Sequence, residues 1–361
     1  MMTRLRSLVL VVAFFLVAAI PAVAQQDSNS NTEGQGPIVS VTLVPFVGIR
    51  GATYDFGIVT NEVRKSMGDP RTGNLTTSSV VAEDRLSVDQ NSRPMVIFAA
   101  ETGRRKGGIG FGGSGWAYSS TGSTNGSVGE GGIFHFMGRS TSGDQQDYEG
   151  SSSWNIRSID GGLLWYNTRA KVTTKVFLGG EFAEVSNETS VAVSTESNDF
   201  FLDYDNTGHF YHDEGTMESS SKVNFSGFGP TVGFMTDVNL GRRITIKNST
   251  KGSLLLGKER ESGEYDFQSN FYSYDTDNSD PRLRKNGFSS PYNAALPTTV
   301  MKIQEELSVQ VKLGNFQVGG GLFIAIFHGA TAAPQNGPTW SRGQGTNLVL
   351  AGGTTSVTYR W

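Results

Sequence analysis

Alternation of apolar and polar residues with a period of two is the feature that most limits what this chain can fold into. It recurs in stretches of about 10–15 residues from Ile38 to the carboxyl terminus, and such a period places successive side chains on opposite faces of a β-strand. From Met301 to Lys312 the odd positions are apolar and the even ones polar, with Glu305 as the exception. The pattern predicts an all-β protein.

Ten stretches carry this signal and predict about ten strands, within a range of roughly eight to twelve, because strand boundaries read from one sequence err by a few residues. The predicted strands are Ile38–Gly48, Pro94–Glu101, Gly107–Tyr118, Trp154–Tyr166, Lys171–Phe182, Lys222–Asp237, Arg243–Leu256, Val300–Lys312, Asn315–Ile326 and the stretch that ends at Trp361.

The connections between these strands alternate in length. Short ones, such as Val238–Arg242 and Leu313–Gly314, are followed by long ones, such as Val185–Ser221 and Lys258–Pro297. Outer-membrane barrels have this arrangement, with short periplasmic turns and long extracellular loops. Because every backbone polar group in hydrocarbon must be paired internally, only a closed sheet can span a bilayer. We therefore predict a transmembrane antiparallel up-and-down β-barrel over residues 38–361.

The first residues have the pattern of an export signal. Arg4 and Arg6 precede the apolar run Leu8–Ile20, and the small residues Ala22 and Ala24 follow it. This is the order of a cleavable signal peptide, and the run is shorter than the roughly 20 residues that span a bilayer. Residues 1–24 are predicted to be a signal peptide and residues 25–37 a flexible polar leader, so the predicted location is the outer membrane of a Gram-negative cell.

The composition excludes several kinds of protein. The chain has no cysteine, which removes disulfides, thiolate metal sites and cysteine nucleophiles. The net charge of −4 argues against a nucleic-acid-binding protein, because such a protein needs a basic surface.

The carboxyl-terminal stretch places Val357, Tyr359 and Trp361 on one face. An aromatic residue at the end of an alternating strand is the signal that the barrel-assembly machinery reads. That machinery, the periplasmic chaperones and the outer-membrane lipids are therefore the expected partners.

Charged residues within the alternating strands are predicted to face the lumen, because a Lys or Arg that faces lipid at the midplane costs about 2–4 kcal/mol. The predicted pore-lining residues are Lys175, Glu181, Lys247, Lys251, Lys302, Glu306 and Arg360.

Several short glycine motifs carry a family resemblance. They are Phe225-x-Gly227-x-Gly229-Pro230, Asn239-Leu240-Gly241, Lys251-Gly252-Ser253-Leu254-Leu255-Leu256-Gly257, Leu313-Gly314-Asn315 and the closing Tyr359-Arg360-Trp361. From about Leu86 to Trp361 the chain resembles the Legionella-type major outer-membrane protein family, which implies a pore-forming barrel. The chain ends in Trp rather than the commoner Phe, and it lacks the cysteines that link some members, so a homo-oligomer of this chain has no disulfides.

Two functions fit these observations. The first is a porin-like passive pore for small solutes, in which the side chains of the lumen select the solutes that pass. The second is a non-conducting surface barrel whose acidic extracellular loops bind ligands or host surfaces. Ten strands make a narrow barrel, since eight leave room only for side chains and about 16 leave an aqueous channel.

No enzymatic activity is predicted. A lipid hydrolase would need a histidine beside a nucleophile, and His328 lies at the outer end of a strand. The chain, however, has no G-x-S-x-G nucleophile motif.

A calcium-loop spacing occurs in the long acidic connection. Asp203, Asp205, Thr207 and Glu214 match positions 1, 3, 5 and 12 of a calcium-binding loop. Flanking helices are not evident, so the expected state is an acidic solvated loop without a cofactor.

Overall fold

The computed structural model describes residues 37–50, 54–67, 75–88, 90–102, 108–128, 132–136, 139–142, 145–202, 208–275, 278–329 and 347–360. The predicted signal peptide, the leader up to residue 36 and Trp361 lie outside these ranges. Within them, no helix is long and apolar enough to cross a membrane.

The described residues form 14 strands. They are β1 (Ile38–Arg50), β2 (Tyr54–Met67), β3 (Leu75–Val88), β4 (Arg93–Glu101), β5 (Gly108–Val128), β6 (Gly132–Phe136), β7 (Arg139–Ser142), β8 (Gln145–Arg169), β9 (Val172–Leu202), β10 (Gly208–Leu240), β11 (Ile244–Asp275), β12 (Asn278–Leu313), β13 (Phe316–His328) and β14 (Leu348–Arg360).

Ten of these strands close into an antiparallel barrel in the order β1-β14-β13-β12-β11-β10-β9-β8-β5-β4. Closure is made by β1, which pairs with β14 on one side and with β4 on the other. Each predicted strand coincides with one barrel strand apart from single terminal residues such as Lys171 and Arg243, so the predicted architecture and the count of ten are confirmed.

Tight turns join neighbouring strands at one end of the barrel, which we call the turn end. Ala170, Gly241 and Gly314 adopt positive φ angles of 50°, 81° and 64°. Glycine reaches this region without steric cost, which explains its presence at two of the three turns. Three of the four predicted short connections are confirmed, and the fourth, Thr102–Lys106, lies mostly outside the described residues.

The opposite end differs from the prediction. The stretches Val185–Ser221 and Lys258–Pro297 were expected to be loops, but they form continuous hairpins in which β9 pairs with β10, and β11 with β12. The polar alternation of these stretches still buries one face, as Val191, Val193 and Met217 show. Six strands therefore continue past the barrel as an open sheet, which we call the extension: residues 118–128, 145–153, 186–202, 208–224, 258–275 and 278–298.

Two further predicted long connections hold a second, four-stranded sheet in the order β3-β2-β6-β7, and a fifth, from His328 to Thr346, lies mostly outside the described residues. Residues 49–93 supply β2 and β3, and residues 119–153 supply β6 and β7. Both connections were predicted to be loops, so the count of strands in the whole chain exceeds the prediction.

Prolines within the strands lie where the ladder lacks a partner. The Lys312 N–H donates to the Arg243 carbonyl at 2.7 Å, so even-numbered N–H groups of β12 point to β11. Pro291 and Pro297 therefore turn toward the other edge, where, among the described residues, β12 pairs with β13 only from Met301 onward. Because proline has no N–H, this free edge is where it is tolerated.

An apolar belt surrounds the barrel. Its exposed side chains include Phe111, Trp165, Leu178, Phe182, Phe228, Val232, Phe234, Leu254, Leu256, Leu307, Val309, Phe316 and Leu322. Away from the turn end the belt stops at the exposed ion pairs Arg157–Glu184 (3.8 Å) and Lys222–Glu188 (3.6 Å). A band of this kind is the lipid-facing surface of a transmembrane barrel.

Candidate functional site in the barrel interior

The interior near the turn end is built around Lys175 of β9. Its Nζ lies 2.7 Å from a carboxylate oxygen of Glu101 on β4 and 3.3 Å from Asp237 on β10. The lysine side chain is 9% exposed. One cation therefore joins two acids from different strands, as a buried charge requires.

A second ion pair lies further inside. Lys251 Nζ donates to both carboxylate oxygens of Asp160 at 2.8 Å and to Ser114 Oγ at 2.9 Å. The Ser114 hydroxyl donates in turn to Asp160 at 2.5 Å. The same ammonium lies 4.9 Å from the ring centroid of Phe177, within cation–π range.

The third pair joins Lys302 of β12 to Glu181 of β9, with side-chain exposures of 2% and 1%. Ser158 and Ser253 both donate hydroxyl hydrogen bonds to the Glu181 carboxylate. Lys302 also donates to Ser158 Oγ at 2.8 Å. The pair thus lies inside a hydrogen-bond network that crosses the lumen.

An apolar layer fills the lumen above these ions. The Trp116 ring meets Phe323 at a centroid distance of 6.0 Å and Phe327 at 6.2 Å, both edge to face. Trp116 Nε1 donates to Gln304 at 3.0 Å, and Lys302 Nζ lies 5.2 Å from the Trp116 ring centroid. We call the layer the plug; it comprises Val44, Met95, Trp116, Trp154, Ile156, Val185, Phe225, Leu255, Val300, Phe323, Phe327 and Leu350, each at most 3% exposed.

A cavity of about 140 Å³ remains on the turn side of the plug. Lys247 and Glu306 line it, and no ion pair of either is found within the described residues. Gln310 Oε1 and Thr358 Oγ1 are buried without a hydrogen-bond partner there. A polar space of this size holds a few water molecules, but the plug separates it from the other end of the barrel.

The seven residues predicted to line a pore all lie on inward positions of the barrel strands. Lys175, Glu181, Lys251 and Lys302 are buried, whereas Lys247, Glu306 and Arg360 are partly exposed. The structure brings six of them to the network and the cavity and places Arg360 at the turn end. That they line an open pore stays a prediction.

Sequence reasoning missed two parts of the interior. Glu101, Asp160 and Asp237 complete the ion pairs, and their inward positions in the alternation could have indicated them. The plug residues had no such signal, because an apolar side chain at an inward position reads the same as one that faces lipid.

An acidic surface lies on the extension. An open cleft of about 490 Å³ crosses β5, β8, β9 and β10, and Asp147, Glu149 and Glu218 line it. Near this cleft Glu196 and Glu214 are direct cross-strand neighbours, an arrangement of like charges that is unfavourable. The His212 ring nitrogen lies 3.1 Å from the Glu214 carboxylate.

The predicted calcium ligands cannot be brought together from the described residues. Asp203, Asp205 and Thr207 lie outside them, and Glu214 is exposed beside His212. Among the residues that are described, no cluster of three or more metal-ligating side chains occurs. The expectation that this acidic loop is solvated and holds no calcium stays a prediction.

Two further predicted positions can be located. His328 is exposed, with its Nδ1 2.5 Å from Asn347 Oδ1. Of the predicted assembly signal, Val357 faces outward and Tyr359 packs against Phe316 with ring centroids 4.9 Å apart.

Known proteins resemble this chain only in structure. No family profile matches the sequence, and no curated protein matches it. Among solved structures, the chain is similar to the outer membrane protease OmpT from Escherichia coli (11% identity, 92% of this chain, 99% of that chain, TM-score 0.41). It is also similar to the transport unit of the autotransporter AIDA-I from Escherichia coli (10% identity, 96% and 97%, TM-score 0.25) and to the P. putida toluene transporter TodX (8% identity, 90% and 90%, TM-score 0.22).

These low scores support no statement about activity, and the barrel rests on the strand pairing of the chain itself. Strand closure, apolar belt and filled interior together define a class: a transmembrane β-barrel whose lumen is occupied by its own side chains. The resemblance to the Legionella-type family stays a prediction.

Proposed function

We propose that the chain is an outer-membrane barrel that does not conduct and that anchors the extension as a ligand-binding surface. The observation that carries this proposal is the plug above the buried ion pairs. Of the two functions that the sequence left open, the filled interior favours the surface barrel over the passive pore.

Passage of a solute would require the plug and the ion pairs to separate. Trp116 contacts two aromatic rings, a glutamine and the Lys302 ammonium, so moving it breaks contacts on several strands at once. Removing one partner of a buried ion pair costs about 3–5 kcal/mol, which makes spontaneous opening rare.

Planar-bilayer conductance tests this part of the proposal. The refolded mature chain is expected to be silent, while Trp116→Ala/Phe323→Ala gives discrete openings because it removes the centre of the plug. A heat-modifiability gel shift shows that both barrels are closed. Discrete openings from the unaltered chain would contradict the proposal and favour the porin-like pore.

The ligand is proposed to be cationic, since the cleft on the extension is lined by three carboxylates. Binding of a fluorescent oligolysine to the barrel in lipid nanodiscs should weaken as salt rises, because exposed charges are screened over about 8 Å at physiological ionic strength. Glu149→Gln/Glu218→Gln should reduce binding, whereas Lys222→Gln on the same strand as Glu218 should not. Equal binding of an anionic peptide would contradict this part.

Cell fractionation tests the proposed location. The mature chain is expected in the outer-membrane fraction, together with the heat-modifiable form. Recovery of the folded chain in the soluble fraction would contradict it.

A further inference from the structure

Glu305 faces outward in the apolar belt. Its outward neighbours along β12 are Met301, Ile303, Leu307 and Val309, all at least 40% exposed. In the sequence this glutamate is the exception to the alternation. The register of β12 with β11 and β13 is unbroken around it, so no bulge turns its side chain toward the lumen. Within the described residues, its carboxylate has no ion pair or hydrogen bond.

The residue lies well inside the belt and not at its rim. The outward positions of β12 run from Met301 to Leu313, with Glu305 four residues from one end and eight from the other. A strand tilted by about 40° rises about 2.5 Å per residue along the barrel axis. Glu305 is therefore about 10 Å below one edge of the belt and about 20 Å above the other, where hydrocarbon offers no hydrogen bond.

Other polar groups adjoin Glu305 on the same outer face. Thr250 of β11 is its direct cross-strand neighbour, and Asn248 is the next outward residue along β11. Thr236 of β10 is the direct neighbour of Asn248. The Asn248 Oδ1 atom is buried and has no hydrogen-bond partner in the described part of the chain, so only the rest of this side chain reaches the outer face. Four adjoining polar side chains thus interrupt the lipid-facing surface.

Gly252 makes this surface concave. It occupies the next outward position after Thr250, and a Cβ atom built on it meets no atom within 4 Å. Its backbone does not need a glycine, since its φ angle lies outside the positive range. Packing within the chain therefore leaves space there. We call Thr236, Asn248, Thr250, Gly252 and Glu305 the notch.

We propose that the notch is a contact between two copies of this chain within the membrane. An intramembrane carboxylate that faces lipid is costly and marks a functional contact. The notch holds the acceptor, Glu305, and the donors, Asn248 and Thr250, so it is complementary to itself. A two-fold axis along the membrane normal keeps every group at its own depth, and brings the glutamate of one copy to the amide and hydroxyl of the other.

A second copy fits better than a lipid. Acyl chains have no hydrogen-bonding groups, and headgroups do not reach this depth. A partner barrel supplies both a surface and donors at the same depth, and small residues such as Gly252 let two backbones approach closely.

Cysteine cross-linking tests the contact directly, because the natural chain has no cysteine and a single introduced thiol reports only its own position. Thr250→Cys in lipid vesicles should form a disulfide dimer on oxidation. The matched control is Gly48→Cys, which also faces outward in the membrane-spanning part and lies on β1, far from β11 around the barrel. We expect about tenfold more dimer from Thr250→Cys than from the control. Equal yields, or no dimer from either variant, would overturn the proposal.

Variants of the notch separate association from folding. Glu305→Leu should raise the dimer dissociation constant by about tenfold or more, measured by single-molecule photobleaching in bilayers. Glu305→Gln should retain the dimer because it keeps a hydrogen-bonding group. Gly252→Leu should also give monomers, with an unchanged heat-modifiability shift. Dimers that persist in Glu305→Leu, an unaltered chain that is monomeric in lipid, or a native complex with a different protein at the notch would each overturn the proposal.

Discussion

Replacement of Lys302 by methionine removes the cation from an ion pair whose two side chains are almost fully buried. Loss of one partner from a buried pair costs about 3–5 kcal/mol, because the other charge stays uncompensated. Glu181 keeps two hydroxyl donors, Ser158 and Ser253, and hydrogen bonds to a charged group contribute about 1.5–3 kcal/mol. We therefore expect Lys302→Met to lower the free energy of unfolding by about 3 kcal/mol, the lower end of that range.

Urea unfolding in lipid vesicles measures this change, with the fluorescence of the buried Trp116 and Trp154 as the signal. Addition of Glu181→Gln to Lys302→Met should recover stability to within about 1 kcal/mol of the natural chain, since neutral replacement of both partners is often tolerated. Lys222→Met is the matched control; its exposed pair with Glu188 contributes at most about 1 kcal/mol. A Lys302→Met barrel as stable as the control would refute the idea that the interior ions are structurally coupled.

Three other predictions concern different parts of the chain. Gly229→Ala should impair barrel folding on a heat-modifiability gel, since its Cβ would lie 1.8 Å from the Leu254 carbonyl oxygen, whereas Gly161→Ala, with nothing within 4 Å, should fold normally. Burial first, and the Glu259 charge second, raise the pKa of Glu261 on the extension above its usual 4.5. Its folded form therefore binds the proton more tightly, so stability should fall as pH rises from 4.5 through the raised pKa, and Glu261→Gln should flatten this slope in urea titrations at a series of pH values. Calorimetry of the purified barrel should show no high-affinity Ca²⁺ heat; a saturable micromolar signal that is lost in Asp203→Ala would contradict this expectation.

The lipid-facing half of the fold could be read from the sequence. In Arg243–Leu256 the alternation assigned Leu254 outward and Lys251 inward, and the structure agrees. It works there because lipid and a polar lumen demand opposite side chains at successive positions. The ten barrel strands and the tight turns followed from the same pattern.

Two features could not be read in this way. Around inward residues such as Leu255 and Phe323, the outward neighbours are apolar as well. The alternation of polarity therefore no longer distinguishes the side chains that face the lumen from those that face lipid. The extension is rich in serine and in acidic residues; Asp and Glu are depleted in strands, and the pairing of the extension depends on neighbours that one sequence does not identify. The plug and the long hairpins are therefore products of tertiary context.

The prolines of β12 have a consequence for how copies of this chain meet. A bare strand edge invites a further strand, by which many proteins aggregate. Here Pro291 and Pro297 remove two donors from the same row of the edge, six positions apart, so an incoming strand finds an interrupted ladder. Growth of an intermolecular sheet from this edge of the extension is thereby opposed. The contact proposed at the notch uses side chains within the bilayer instead, where the number of partners is finite.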